Sequence, residues 1–471
     1  MAQVPRTANE KDLKEWATPL AGLGLRPAHY SPVEYYKAPV ENLRTYPVFV
    51  PGREPEGYWQ MLQSVGPKPL IEPGRVTDWV AAGKRVFEEL DVVGFRSQNP
   101  ELIRTARSPE YFEKNKLEPR KDGTIGALRW VPTAKGVALS VTDCSDCHSR
   151  RFPDGTIVHG PPSNERGGPL VGALAAYVMS AIPLPGDSVP QMVWRASSVP
   201  WIQDDIHAGI LKMPPPDLNQ LLGGAFAEGI FPRWNGSPFY ATKIPDLIGI
   251  KDRKYIDHTA THQHRGPGDI MRYAALVSYA DISDFGAHHM LTDQQRRIHG
   301  RPQDEALYAL AMYLYSLQPP PNPHKLDAHA GVGQKIFQRE GCTGCHTPPL
   351  YTNNKLTLAR GFTPPKEHAK FLDILPVTVG TDPNLALKTR KGTGYYKVPS
   401  LKGVWYRGRY LHDGAVTSLE EMFNPARLKP DFVPSGFVGF KLKTRAVEGH
   451  EFGLKLSMPE REQLIAFLKT L

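Results

Sequence analysis

Residues 141–150 read VTDCSDCHSR, and residues 339–348 read REGCTGCHTP. The chain has four cysteines, Cys144, Cys147, Cys342 and Cys345, and these two stretches hold them all. Each pair is a C-x-x-C followed at once by a histidine, His148 in the first and His346 in the second. A two-residue spacer sets two thiols on one helical turn at the separation of the two vinyl groups of a haem, and the adjoining imidazole falls beneath the ring to bind iron. Two covalently bound haem c groups, with His148 and His346 as proximal ligands, account for every cysteine. Zinc would need further ligands at knuckle-like spacing, and a thioredoxin-like dithiol has no use for the trailing histidine.

At 471 residues, 40% hydrophobic and 22% charged, the chain is globular and long enough for two or three domains. Its 46 prolines and 42 glycines predict a mainly α fold with long irregular loops wrapped around porphyrin, and little sheet. The formal charge of +9 would be partly offset by haem propionates, and the lysines and arginines form no basic run, so nucleic acid is not an expected partner. The start, MAQVPRTANEKDLKEW, has no apolar signal region; because haem is attached outside the bacterial cytoplasm, the expectation is a periplasmic or secreted protein whose export signal has been removed. The longest uncharged run, GGPLVGALAAYVMSAIPLPG (167–186), is too short between its Gly and Pro ends to span a bilayer and is expected to be a buried helix.

The two halves echo each other. GVGQKIFQREGC (331–342) predicts a helix leading into the second haem motif, and AAGKRVFEELD (81–91) repeats its Gly and Phe, with Gly83 and Phe87 matching Gly333 and Phe337. After each haem motif comes a shared phrase, KIPDLIGIKDRKYIDH (243–258) and then KVPSLKGVWYRGRYLHDG (397–414). Each half closes on an amphipathic helix, DEALYALAMYLYSL (304–317) and EREQLIAFLKTL (460–471). This is a plan of entry helix, haem and closing helix written twice. SLQPPPNPHK (316–325) is too rich in proline to be helical and reads as a stiff linker. The expected division is an extended N-terminal arm over 1–75, an N-terminal haem domain over 76–320 and a C-terminal haem domain over 321–471.

From about residue 76 to its end the chain resembles the dihaem superfamily of bacterial cytochrome c peroxidases and the methylamine dehydrogenase maturation enzyme MauG. The resemblance rests on the paired C-x-x-C-H motifs, the VPSL…YLHDG phrase and the duplicated layout. It implies that the haem at Cys144, Cys147 and His148 reacts with peroxide or oxygen, and that the haem at Cys342, Cys345 and His346 relays electrons. Relatives place a Met or Tyr as the relay's distal ligand where this chain has Ala426, and Met422 lies a turn away. His450, in EGHEFG, resembles the distal histidine of the rubber oxygenase (RoxA) branch and is the expected sixth ligand. A bis-histidine relay has a lower potential than a His–Met one. His412 is expected to be a structural residue at the haem edge.

The distal face of the first haem is less legible. The peroxidase's acid–base Glu is missing from RGPGDIMRYAALVSYADISDFG (265–286); Asp269, Asp281 or Tyr273 would have to carry a proton in its place. His258, His262, His264, His288, His289 and Met213 are candidates to close the site, each more readily explained as a surface or hydrogen-bonding residue. An open site would be lined by Trp234, Phe239 and Tyr240, and Trp234 or Trp405 could carry electrons between the haems. A calcium ion has no readable ligand pattern here and stays open. The expected function is an extracytoplasmic haem-dependent oxidoreductase acting on an organic substrate or a redox partner protein; the rival is a dihaem electron carrier with both irons six-coordinate.

Overall fold

The computed structural model describes the chain apart from residues 1–2, 26, 28–29, 41–42, 73, 93–95, 116–117, 142, 165–207, 226–227, 231–236, 279–300 and 390. The proposed helix at 167–186, Trp234, Asp281, His288 and His289 therefore lie outside the described residues. Five helices organise the rest: α1 (Trp79–Glu89), α2 (Pro267–Ser278), α3 (Asp304–Ser316), α4 (Ala328–Arg339) and α5 (Met458–Lys469).

Helix α1 starts at Asp78, whose carboxylate accepts the amides of Val80 and Ala81, and α4 starts at Asp327, which accepts the amide of Ala330. Helix α5 opens with a capping box between Ser457 and Glu460. Helix α1 packs on α3 and α4 on α5, and each crossing depends on a glycine. A Cβ on Gly83 would lie 1.9 Å from the carbonyl oxygen of Ala309, and one on Gly333 would lie 1.8 Å from that of Gln463. One turn on, Phe87 meets Tyr313 at 5.5 Å between ring centroids and Phe337 meets Phe467 at 5.3 Å. The repeated Gly and Phe are thus the same contact made twice, with the backbones too close for any side chain between them. One buried cluster, including Phe87, Met271 and Leu307, surrounds the first crossing; another, including Phe337, Val416 and Leu464, surrounds the second.

Sheet is more developed than the composition predicted. Strands β1 (Tyr46–Phe49), β2 (Thr124–Thr133) and β3 (Gly136–Val141) form an antiparallel sheet in that order. Residues 1–75, expected as an extended arm, supply β1 and the helices Glu10–Ala17, Pro32–Lys37 and Tyr58–Val65. Their partner is the segment between α1 and Cys144: Val48, Leu62, Leu102 and Trp130 share one core. Strand β3 buries Ala138 to Val141 and leads towards the first C-x-x-C-H motif. A short hairpin, β4 (Ser149–Arg151) with β5 (Ile157–His159), follows that motif, and β6 (Leu356–Leu358), β7 (Ile374–Thr378) and β8 (Tyr395–Lys397) form a small mixed sheet beside the second.

The shared phrases bind the halves to each other. The amide of Lys243 donates to the carbonyl of His412 at 2.9 Å, and the amide of Lys397 donates to that of His258 at 3.0 Å. The same spacing separates Lys243 from Lys397 and His258 from His412, so the exchange is reciprocal. No helix among the described residues is long and apolar enough to cross a membrane.

Candidate functional site

Both cysteine motifs turn the same way. His148 donates its amide to the carbonyl of Cys144 at 3.0 Å, and His346 to that of Cys342 at 2.8 Å, so two thiols and an imidazole leave a single turn in each. The first turn, Cys144–Cys147, is fixed by a capping box: Asp143 accepts the amides of Ser145 and Asp146, and Asp146 accepts the amide of Asp143. Arg129 on β2 bonds Asp143 at 2.6 Å and Asp146 at 3.1 Å, tying the sheet to the motif. The second turn, Cys342–Gly344, is entered through Gly341 at φ 72°, a left-handed conformation that glycine adopts without strain. Burial pushes the thiols of Cys144 and Cys345 up, and that of Cys342 up to about 11, so these are not the depressed thiols of a redox dithiol. Among the described residues no group of three or more His, Cys, Asp or Glu is placed to hold a metal ion by itself.

A deep cavity opens over the second motif. Cys342, Cys345, His346 and His450 line it together, with Phe337, Leu401, Phe423, Leu464 and Leu468 supplying an apolar body. The imidazoles of His346 and His450 face each other with centroids 6.3 Å apart and planes inclined by 55°. With metal–imidazole bonds of about 2.0–2.1 Å and about 1.1 Å from nitrogen to ring centre, two axial imidazoles on one metal stand about 6.2–6.4 Å apart. The donor set, spacing and apolar walls fit a haem c. Nδ1 of His346 lies 3.2 Å from the carbonyl of Tyr351, which leaves Nε2 free to ligate. Burial pushes both imidazoles down to about 4, and at His450 the facing ring and the Arg427 charge add to it. Each is neutral at pH 7, the form that binds iron.

His450 has no such partner: its Nδ1 is buried without a hydrogen bond among the described residues. Its backbone is clamped instead. His450 sits at φ 47°, and its amide donates to Val379 at 2.6 Å. Arg427, fully buried, gives Nη2 to the carbonyls of Gly449 and His450 at 2.8 Å each, Nε to Met422 at 2.9 Å and Nη1 to Val447. Gly449 is pressed against residues 379–381, where a Cβ would come within 2.2 Å of the Thr381 nitrogen.

The other sequence candidates fall in several places. Met422 lines the cavity over the second motif. His412 also lines that cavity, stacked on Tyr396 at 4.4 Å. Tyr273, on α2, shares a buried cluster with Cys144, its ring edge-on to His262 at 4.9 Å. His262 in turn pairs with Asp257 and stacks on Trp16. His264 engages both nitrogens, with the Arg253 carbonyl and the Tyr315 hydroxyl, and Nε2 of His258 meets the carbonyl of Lys243. Met213 and Phe239 pack with Ile210 and Phe440, and Tyr240 lies under Lys388. Trp405 touches Phe152 of the first half at 6.1 Å. Asp269 is no free proton carrier: burial alone would raise its pKa, but the hydrogen bonds of Arg265 and the charge of Arg272 outweigh it and hold the carboxyl below its ordinary range.

Sequence reasoning missed Arg427 and the cations Lys243, Arg407 and Arg409 at the polar edge of the cavity. A signal existed for two of these, since the shared phrases repeat their Lys and their Arg at matching positions. Arg427 carried none.

No family model matches the chain. It is similar to the cytochrome-c peroxidase IdrP1 of Pseudomonas sp. (strain SCT), 25% identical over 171 residues, covering 31% of this chain and 40% of that protein. The match thus spans less than half the length of that curated relative. Among solved structures it is similar to the hydrazine synthase of Kuenenia stuttgartiensis (17% identity, 61% of this chain and 88% of that one, TM-score 0.30). Two others are a MauG-like protein associated with microbial copper homeostasis (16%, 53% and 79%, 0.30) and a variant of the diheme peroxidase BthA from Burkholderia thailandensis (17%, 44% and 57%, 0.22).

Proposed function

We propose that this chain is an extracytoplasmic dihaem c-type oxidoreductase of the peroxidase and MauG kind, built as an N-terminal haem domain over 76–320 and a C-terminal one over 321–471. Haem would supply one-electron chemistry at both sites and, where a coordination position is open, a place for peroxide or oxygen. Cys144 and Cys147 would hold one group with His148 as ligand, and Cys342 and Cys345 would hold the other, with His346 and His450 as ligands. The facing imidazoles of His346 and His450 are the observation that carries this reading: a site with both axial ligands supplied has no exchangeable position, so it relays electrons and inner-sphere chemistry falls to the first site.

The chain's own groups support that division. His264 is engaged at both nitrogens, which disfavours it as a ligand that closes the first site. Phe152 and Trp405 meet where the halves join and offer an aromatic route for electrons. The oxidant and substrate, an organic molecule or a partner protein, come under the same proposal.

The test is made on the purified holoprotein. Its intact mass is expected to exceed the polypeptide by two haems, and after reduction one haem is expected to bind carbon monoxide while the other stays low-spin. His148→Ala should abolish carbon monoxide binding and spare the second haem's spectrum. Two haems that stay inert to carbon monoxide in every redox state, half-reduced samples included, would make the protein an electron carrier.

A further inference from the structure

The two helix crossings are built alike and differ at one contact. A Cβ on Gly83 would meet the Cβ of Tyr313, and one on Gly333 would meet that of Phe467, so Tyr313 and Phe467 hold the same position in the two halves. A third ring completes each contact. In the second half it is Tyr351, 6.1 Å from Phe337 and 6.3 Å from Phe467 between centroids; in the first it is His159, 5.1 Å from Phe87 and 6.1 Å from Tyr313. The backbone reaches both rings by a matching route. Leu401 donates its amide to the carbonyl of Tyr351 at 3.2 Å, and Leu247 donates to that of Gly160, next to His159, at 2.8 Å. Where the second half packs two phenylalanines on a tyrosine, the first therefore sets a phenol against an imidazole, with the Tyr313 hydroxyl 2.6 Å from His159 Nδ1. His159 Nε2 faces the Glu88 carboxylate at 3.6 Å, and Glu88 in turn lies 3.9 Å from Lys84. A carboxylate only accepts, so Nε2 carries the imidazole proton and Nδ1 accepts the Tyr313 hydroxyl.

We propose that Tyr313 is a redox-active tyrosine, which gives one electron to the haem held by His148 when hydrogen peroxide oxidises it, while His159 takes the hydroxyl proton. This deepens the proposed function and rests on its reading of the first haem as the reactive one. The pair is placed for the task. Tyr313, Phe87, Leu310 and Leu314 share the buried cluster against which Cys144 packs, and the amide of Gly160 donates to the carbonyl of His148 at 2.7 Å. At the other crossing Leu464 and Leu468, which correspond to Leu310 and Leu314, line the cavity of Cys342 and His346. Reduction of hydrogen peroxide to two waters takes two electrons, with two protons from solvent: one electron leaves the first iron and the other leaves Tyr313. The phenol proton passes to Nδ1, leaving a neutral phenoxyl radical beside an imidazolium that faces the Glu88 carboxylate. An electron returned by way of the second haem, with the proton on Nδ1, restores the phenol. At rest the pair is neutral, because burial pushes the Tyr313 hydroxyl up to about 12 and the His159 imidazole below its ordinary value. Phe467 has no hydroxyl to offer, as suits a site that only relays electrons.

Freeze-quenched EPR of the oxidised holoprotein mixed with hydrogen peroxide tests it. Wild type is expected to show a radical whose hyperfine splitting collapses when its tyrosines are ring-deuterated, and whose formation slows in deuterium oxide because the proton moves with the electron. Tyr313→Phe copies what the second half packs at this position, so it is expected to keep both haem spectra and lose the radical. His159→Gln should lower the radical yield. The control is Tyr315→Phe, two residues on along the same helix, whose hydroxyl lies 2.5 Å from His264 Nε2; it should keep the radical. If a variant at 313 or 159 does not retain haem, fluorotyrosine placed at 313 alone should add a fluorine splitting to the signal. A radical that survives Tyr313→Phe or vanishes in Tyr315→Phe, a signal without fluorine splitting, equal rates in the two solvents, or a first haem oxidised by peroxide with no radical would each overturn the proposal. A first haem that does not react with peroxide at all would instead overturn the reading beneath it.

Discussion

His346 and His450 face each other across the cavity over the second motif with ring centroids 6.3 Å apart, although 103 residues of chain lie between them. If both bind one iron, His450→Ala removes the sixth ligand and only that. The expected result is conversion of the second haem's low-spin EPR signal to high-spin, with Met422→Ala leaving it intact. Conversion by Met422→Ala and not by His450→Ala would assign the ligand to the wrong residue.

The depressed pKa of both imidazoles fixes a direction for acid sensitivity. A histidine whose pKa falls on folding contributes stability above its ordinary value near 6.5 and loses it as pH falls through the folded value. Burial keeps both imidazoles neutral and iron binding would oppose their protonation further, so the low-spin bands of the second haem should hold from pH 7 through pH 5. A spectral midpoint near 6.5 in an absorbance titration would show an exposed ligand.

Arg427 donates to the backbone carbonyls of Met422, Val447, Gly449 and His450, and so clamps the backbone of His450, whose ring lacks the bond that the Tyr351 carbonyl makes to His346. Arg427→Lys keeps the charge but cannot reach all four carbonyls, and each buried acceptor left without a donor costs about 1–3 kcal/mol. The variant should show a mixed-spin second haem and an unchanged first haem. A second haem that stays fully low-spin would reduce Arg427 to a packing role.

Gly83→Ala and Gly333→Ala each drive a methyl into a backbone carbonyl at a helix crossing. Each should destabilise by about 1–3 kcal/mol or more, since neither helix can shift without disturbing its own core. Thermal unfolding of the holoprotein reads this; equal melting temperatures for wild type and Gly333→Ala would mean that the crossing is looser than the structure has it.

Whatever depends on neighbours in the chain was legible in the sequence. C-x-x-C-H puts its thiols and imidazole on one turn because His148 and His346 bond back to the first cysteine of their own motif. Helices α3 and α5 announced themselves by period, and the recurring Gly and Phe marked both crossings, because close packing of helices leaves a local residue signature. Tertiary structure alone decided the rest. Strand β1 pairs with a hairpin beyond α1, so the expected arm is part of a sheet core; a short strand carries no address for its partner. The partners of Arg427 are carbonyls, which every residue has, and no sequence pattern marks a bond to one. The reciprocal bonds of Lys243 with His412 and Lys397 with His258 exist only because two similar segments meet about an axis, a relation of positions in space that a linear chain does not encode locally.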